Sequence, residues 1–160
     1  VIRNATLSPC QNYRYLLTRA WGENGRVITW IMLNPSTADA EIDDPTIRRC
    51  MAFTDRLGAH AMVVVNLFGY RAADPKKLLD LGLDELEGAD NRDTIQAACG
   101  MGETIIAAWG ALHKSLRGRA ESVSNMLREK WSLKCLGKTL DGWPRHPLYL
   151  RADAPLMDWP

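Results

Sequence analysis

The chain contains nearly continuous apolar runs that end abruptly in polar or aromatic residues. Ile28-Thr29-Trp30-Ile31-Met32-Leu33 runs into Asn34, Ala61-Met62-Val63-Val64-Val65 into Asn66, and Thr104-Ile105-Ile106-Ala107-Ala108 into Trp109. Leu133-Lys134-Cys135-Leu136 is a shorter fourth run. Runs of this length without apolar–polar alternation predict strands covered on both faces, the habit of parallel sheets. The segments between them carry helical spacing. Asp44-Pro45 opens a helix through Ile47, Cys50, Met51 and Leu57, and Gly58 ends it. Asp74-Pro75 opens a short helix through Leu79, followed by an acidic loop and a helix from Asn91 to Cys99. Leu116, Ala120, Val123, Met126 and Leu127 mark a last amphipathic helix. Upstream, Tyr13–Trp21 and Arg26–Leu33 flank the turn Gly22-Glu23-Asn24-Gly25 and predict an N-terminal β-hairpin. The alternation predicts an α/β fold, a three-layer α/β/α sandwich with a mainly parallel central sheet. With 160 residues and no repeat or linker, residues 1–160 are expected to form a single domain.

Composition removes several classes. Hydrophobic residues at 46% and charged residues at 24% suit a globular chain rather than a disordered one. No apolar run approaches the ~18–20 residues that span a bilayer, so no membrane partner is expected. Cys10, Cys50, Cys99 and Cys135 are scattered, with no Cys-x-x-Cys pair to begin a metal cluster. Buried free thiols, no metal, no cofactor and a reducing cytoplasmic setting are the expectation. The net charge is only +1, but its distribution is uneven. Lys114–Arg151 holds nine basic and three acidic residues, against three basic and eight acidic in Asp74–Glu103. The last third reads as a basic surface, suited to phosphate or simply to solvent.

Open α/β sheets bind ligands beyond the carboxyl ends of their strands. Four loops leave those ends, carrying Asn34-Pro35-Ser36-Thr37, Asn66-Leu67-Phe68, Trp109-Gly110 and Arg145-His146-Pro147. Asn34 either caps a strand end or serves a site. Asn66 follows apolar residues, so its amide must find partners; a fixed amide offers both a donor and an acceptor to the edge of a base. Phe68 either stacks on a planar ligand or fills the core. A neutral His146 can donate to charge on a leaving group, the alternative being an idle loop residue. Asp39, Glu41, Asp43 and Asp44 lie near the first loop, where a carboxylate could orient water, though capping accounts for Asp44 and solvent for the rest. Gly137-Lys138-Thr139 lacks the upstream Gly of a phosphate loop, because residue 132 is Ser.

Two resemblances attach to these motifs. Met32-Leu33-Asn34-Pro35-Ser36-Thr37-Ala38-Asp39, Asp44-Pro45-Thr46-Ile47-Arg48-Arg49, Val65-Asn66-Leu67-Phe68, Ala108-Trp109-Gly110 and the stretch from Gly142 to Tyr149 resemble a bacterial and phage domain family of unknown function, DUF1643. The resemblance runs from about Tyr13 to Leu150 and implies no activity. More distantly, the order of loops is similar to that of the uracil-DNA glycosylase superfamily. That resemblance implies a uracil-DNA-glycosylase-like sandwich acting on an N-glycosidic bond in DNA or a nucleotide. It implies that Asn34 holds water, that Asn66 recognises the base, and that His146 stabilises it as the bond breaks; Asp39 is expected to help Asn34 hold the water. Pro35, Ser36, Thr37, Phe68, Trp109 and Arg145 complete the expected binding residues. The chain departs from that superfamily in having Leu148 after His146-Pro147, where Ser is usual. It also has Asn34 where the most efficient members carry Asp. The partner expected is a nucleobase, nucleotide or DNA. The alternatives are a non-catalytic module that binds a modified base or free nucleotide, and a phosphate-handling enzyme using Ser36 or Thr37.

Overall fold

A computed structural model describes every residue except Asn24. The expected turn at Gly22–Gly25 therefore lies partly outside the described residues. In chain order the elements are β1 (Ile2–Leu7), β2 (Arg14–Ala20), β3 (Val27–Met32), α1 (Pro45–Arg56), β4 (Ala61–Asn66), α2 (Leu83–Glu87) and α3 (Asn91–Met101). They continue with β5 (Thr104–Ala107), α4 (Lys114–Arg128), β6 (Leu133–Cys135) and β7 (Met157–Asp158). Single 3-10 segments occupy Pro75–Asp80 and Pro147–Tyr149.

The strands form one seven-stranded sheet in the order β1-β2-β4-β3-β5-β6-β7. The pairings of β4 with β3, β3 with β5 and β5 with β6 are parallel. Those of β1 with β2, β2 with β4 and β6 with β7 are antiparallel. The sheet is thus mixed: parallel in its four middle strands and antiparallel towards both edges, not parallel in the main. The expected hairpin between Tyr13–Trp21 and Arg26–Leu33 is not formed, because β4 lies between β2 and β3. The physical reason is burial. Five of the six residues of β3 are buried, which suits the middle of a sheet. The alternating burial of β2 suits a place nearer the edge. The N-terminal hairpin is instead β1 with β2.

Alternate residues of each central strand supply two cores. Ile31, Val63, Val65, Ile105 and Ala107 face α3 and α4, meeting Ile95, Ala98, Leu116, Val123 and Leu127. Ile28, Trp30, Met32, Met62, Val64 and Ile106 face α1, meeting Ile47, Cys50 and Phe53. Each such fully buried aliphatic side chain contributes about 1.5–3 kcal/mol of burial energy. The start of α1 follows the sequence closely: Asp44 Oδ1 accepts the Ile47 N–H at 2.9 Å and Pro45 occupies the first turn. Cys50, Cys99 and Cys135 are buried as expected, whereas Cys10 is exposed. No helix among the described residues is long and apolar enough to cross a membrane.

One irregularity positions a functional group. Thr6 pairs with Leu16 but Leu7 with Arg14, so Tyr15 is an extra residue in β2. Residues five apart on a regular strand point to opposite faces. The bulge at Tyr15 restores Arg14 to the face that carries Arg19 and is covered by α1, as bulges commonly re-aim a side chain.

Candidate functional site

A cavity of about 640 Å3 opens where β3, β4 and β5 end. Its walls include Asn34, Ser36 and Thr37 after β3, Asn66 at the end of β4, and Trp109-Gly110 after β5. Arg145 and His146 from the loop after β6 complete that side. The four loops singled out in the sequence therefore meet. One contribution was not foreseen. Arg14 reaches the cavity because β2 runs antiparallel to β4, which brings its first residue to the same end of the sheet. Asp44 lines the cavity while it also caps α1.

The walls are tied together through the backbone. Leu67 N–H donates to Met32 O at 2.9 Å and Phe68 N–H to Leu33 O at 3.0 Å. Gly110 N–H donates to Pro144 O at 2.7 Å. Gly110 has φ of +79°, and a Cβ there would stand 3.2 Å from His146 Cβ, so the close approach of these two loops needs glycine. Asn91, in the first turn of α3, donates its Nδ2 to Asn66 O at 2.8 Å and Leu67 O at 3.1 Å. Those bonds fix the backbone that carries Asn66.

Polar groups at the cavity are left unpaired to an unusual degree. Arg14 is 2% exposed and Asn66 only 1%. Among the described residues no protein group bonds Arg14 Nε, either side-chain polar atom of Asn66, or Trp109 Nε1. Buried side-chain polar atoms normally have a partner, and an unmade bond costs about 1–3 kcal/mol. The Arg14 guanidinium donates to Ala38 O through Nη1 at 2.8 Å. Burial pulls it down to about 10, against the pull of Asp44. It is still cationic at neutral pH.

His146 is half-buried. Burial pushes its imidazole below the ordinary value, with Asp44 pulling the other way. Leu148 N–H donates to Nδ1 at 3.2 Å, so the neutral ring keeps its proton on Nε2 as a donor. Trp109 packs edge-on against Trp159, ring centroids 5.0 Å apart, with Trp143 beside both.

Other expected site residues lie elsewhere or are already engaged. Asn34 borders the cavity, but its Nδ2 donates to Pro35 O at 3.0 Å and Ala72 O at 2.9 Å, leaving Oδ1 as its remaining polar atom. Pro35 is buried and absent from the cavity wall. Phe68 is fully buried in the core beneath α3, with Leu86 and Ile95, and does not reach the cavity. Stacking on a ligand is therefore replaced by core packing. Asp39 is also off the wall; its Oδ1 accepts the N–H groups of Glu41 and Ile42 at 2.8 Å and shapes that loop. These two N–H groups hold its carboxyl below the ordinary range.

The basic last third is interleaved with acid. Arg119 pairs with Glu87 and Asp84, Arg117 with Asp141, Lys134 with Asp158 and Arg151 with Asp153. The acidic loop after Leu79 supplies two of these carboxylates from α2, a short helix the sequence reading leaves as loop. Among the described residues, no cluster of three His, Cys, Asp or Glu side chains is placed to hold a metal ion.

No curated protein and no solved structure matches the chain. A family model, described as a protein of unknown function (DUF1643), matches residues 14–148. The match begins at Arg14 and ends at Leu148, and so takes in all of the cavity wall except Tyr149. The chain belongs to the DUF1643 family.

Proposed function

We propose that this cavity binds a nucleobase, as a nucleotide or in DNA, and that the protein cleaves the N-glycosidic bond to it. The observation that carries the reading is the Asn66 amide, buried in the cavity wall with neither donor nor acceptor used. An amide offers a donor and an acceptor side by side, the pattern on the edge of a base. Arg14 and Trp109 add unpaired donors, suited to ring carbonyls and nitrogens. Cleavage leaves negative charge on the departing base. His146 donates its Nε2–H to that base, and the cationic Arg14 lowers the energy of the same charge. Asn34 Oδ1 accepts from the attacking water, with the Asp44 carboxylate on the same wall; the water oxygen bonds the sugar carbon as the C–N bond breaks, and the proton it sheds ends on the released base. The uracil-DNA-glycosylase-like fold inferred from loop order belongs to this reading. A base in a duplex must first be flipped out.

A second reading is favoured by one specific observation. The Asn34 amide donors are spent on the backbone and Asp39 is committed to its own loop, so no carboxylate outside helix capping faces the cavity near Asn34. A module that binds a base without turnover fits that arrangement.

The test is a strand-cleavage and binding assay on single- and double-stranded DNA carrying uracil, hypoxanthine, xanthine, mismatched thymine or 5-hydroxymethyluracil, with the matching nucleotides. His146→Ala is expected to reduce base release roughly 10²- to 10³-fold, the usual effect of removing one charge-stabilising donor. Asn66→Leu is expected to abolish binding while the protein stays folded. Binding without release selects the second reading. Unchanged binding and release in both variants would overturn the proposal.

A further inference from the structure

A shallower cleft of about 320 Å3 adjoins the cavity, sharing Ser36, Thr37, Ala72 and Ala73 with it. Its other walls are Gln11, Asn12 and Arg71. Arg71 donates Nη1 to Gln11 O at 3.2 Å and Nε to Ser36 O at 3.4 Å, which hold the guanidinium across the cleft. Among the described residues no carboxylate forms an ion pair with Arg71, and none does with Arg14 on the other side of the Ser36-Thr37 segment. Two buried or half-buried cations thus flank one short loop. No protein acceptor takes the Ser36 or Thr37 backbone N–H, and neither hydroxyl has a protein partner among the described residues. At the lip, Gln11 sits in the turn between β1 and β2 with φ of +61°, its N–H donating to Ser8 O at 2.9 Å.

A fixed guanidinium beside free hydroxyl and amide donors is the chemistry that receives a phosphate. In the basic last third, Arg117, Arg119, Lys134 and Arg151 are paired with carboxylates, which interrupts the continuous cationic surface that a duplex favours. We infer that the Arg71 cleft holds the phosphate of a free mononucleotide whose base occupies the deep cavity. The inference rests on the nucleobase reading and narrows it to nucleoside monophosphates. The 640 Å3 cavity is the size of a small-molecule site, and the phosphate cleft opens directly off its Ser36-Thr37 edge.

The experiment is calorimetric titration of the full chain with paired probes: deoxynucleosides and their 5′-monophosphates carrying the four common bases, uracil or hypoxanthine. For the base that binds, the monophosphate is expected to bind about tenfold or more tightly than the nucleoside, the worth of a charge-assisted contact. In Arg71→Gln that ratio falls to about one. Inorganic phosphate should weaken monophosphate binding to the unaltered protein and leave nucleoside binding unchanged, a readout that does not depend on the variant's folding. Equal affinities for nucleoside and monophosphate would overturn the cleft assignment and leave the nucleobase reading standing. Tighter binding of an oligonucleotide carrying the base internally would also overturn it, in favour of a strand phosphate. Binding of none of the three probes, nucleoside, monophosphate or oligonucleotide, would remove both.

Discussion

β2 carries two buried arginines whose surroundings could hardly differ more. Arg19 donates Nε to Asp43 Oδ1 at 2.6 Å, Nη1 to the carbonyls of Asn4 and Thr18, and Nη2 to those of Asp39 and Ile42. Its charge and its donors are all met. Arg14, five residues earlier, has one carbonyl partner, no ion pair and a bare Nε. A buried charge that is fully paired holds structure together; one left unpaired in a cavity wall is a standing cost, retained where a ligand completes it. The same contrast separates Glu87, which meets both Arg92 and Arg119, from Asn66, whose side-chain amide has no partner among the described residues.

The largest effect expected from testing this contrast is at Arg19. Arg19→Met leaves Asp43 with only Arg3 and strips several carbonyls, and should cost about 3–5 kcal/mol in urea unfolding. Arg14→Met should stay within about 1 kcal/mol of the unaltered protein, because it removes few bonds and relieves a desolvated charge, while nucleobase binding is lost. Equal destabilisation by the two substitutions would collapse the comparison. The smallest effect is at His146, whose folded-state value is depressed by burial. The unfolded chain binds the proton more readily than the folded one. Stability should therefore decline as pH falls from about 7 through the unfolded value near 6.5 and towards the lower folded value. His146→Gln should flatten that slope in unfolding measured across this range; a slope unchanged in the variant would mean another group is responsible.

Much of this arrangement is readable from residues alone, where local chemistry decides. The apolar runs of β3, β4 and β5 and the Asp44-Pro45 start of α1 fall where the pattern puts them. The convergence of the four loops follows from strand direction. What stays hidden depends on long-range pairing. β1 is missed because its exposed Ile2-Arg3-Asn4 start alternates weakly, and β7 because it is two residues long. The partner of β2 is misjudged because chain proximity suggests β3, whereas burial places β4 between them. Arg14 looks like one more residue of a Tyr-rich strand until the extra Tyr15 turns it inward. Asp44 is a helix cap, as its neighbours imply, and of the four acids near the first loop it is the one whose carboxylate also meets the cavity. The acidic and basic stretches read as separate surfaces, although Arg119 and Glu87 join them.

The position of β4 between β2 and β3 also governs the order in which the molecule can be assembled. β3 finds both its neighbours, β4 and β5, only later in the chain. Until β4 docks, Arg14 and Asn66 do not share a cavity wall, and until the segment after β6 arrives, Gly110 has no His146 to approach. A full-length but half-folded chain therefore owns every part of the cavity and none of its shape. Such non-local pairing slows folding. It also means that a ligand spanning these loops recognises only the finished molecule, and its binding energy is added to the whole fold at once.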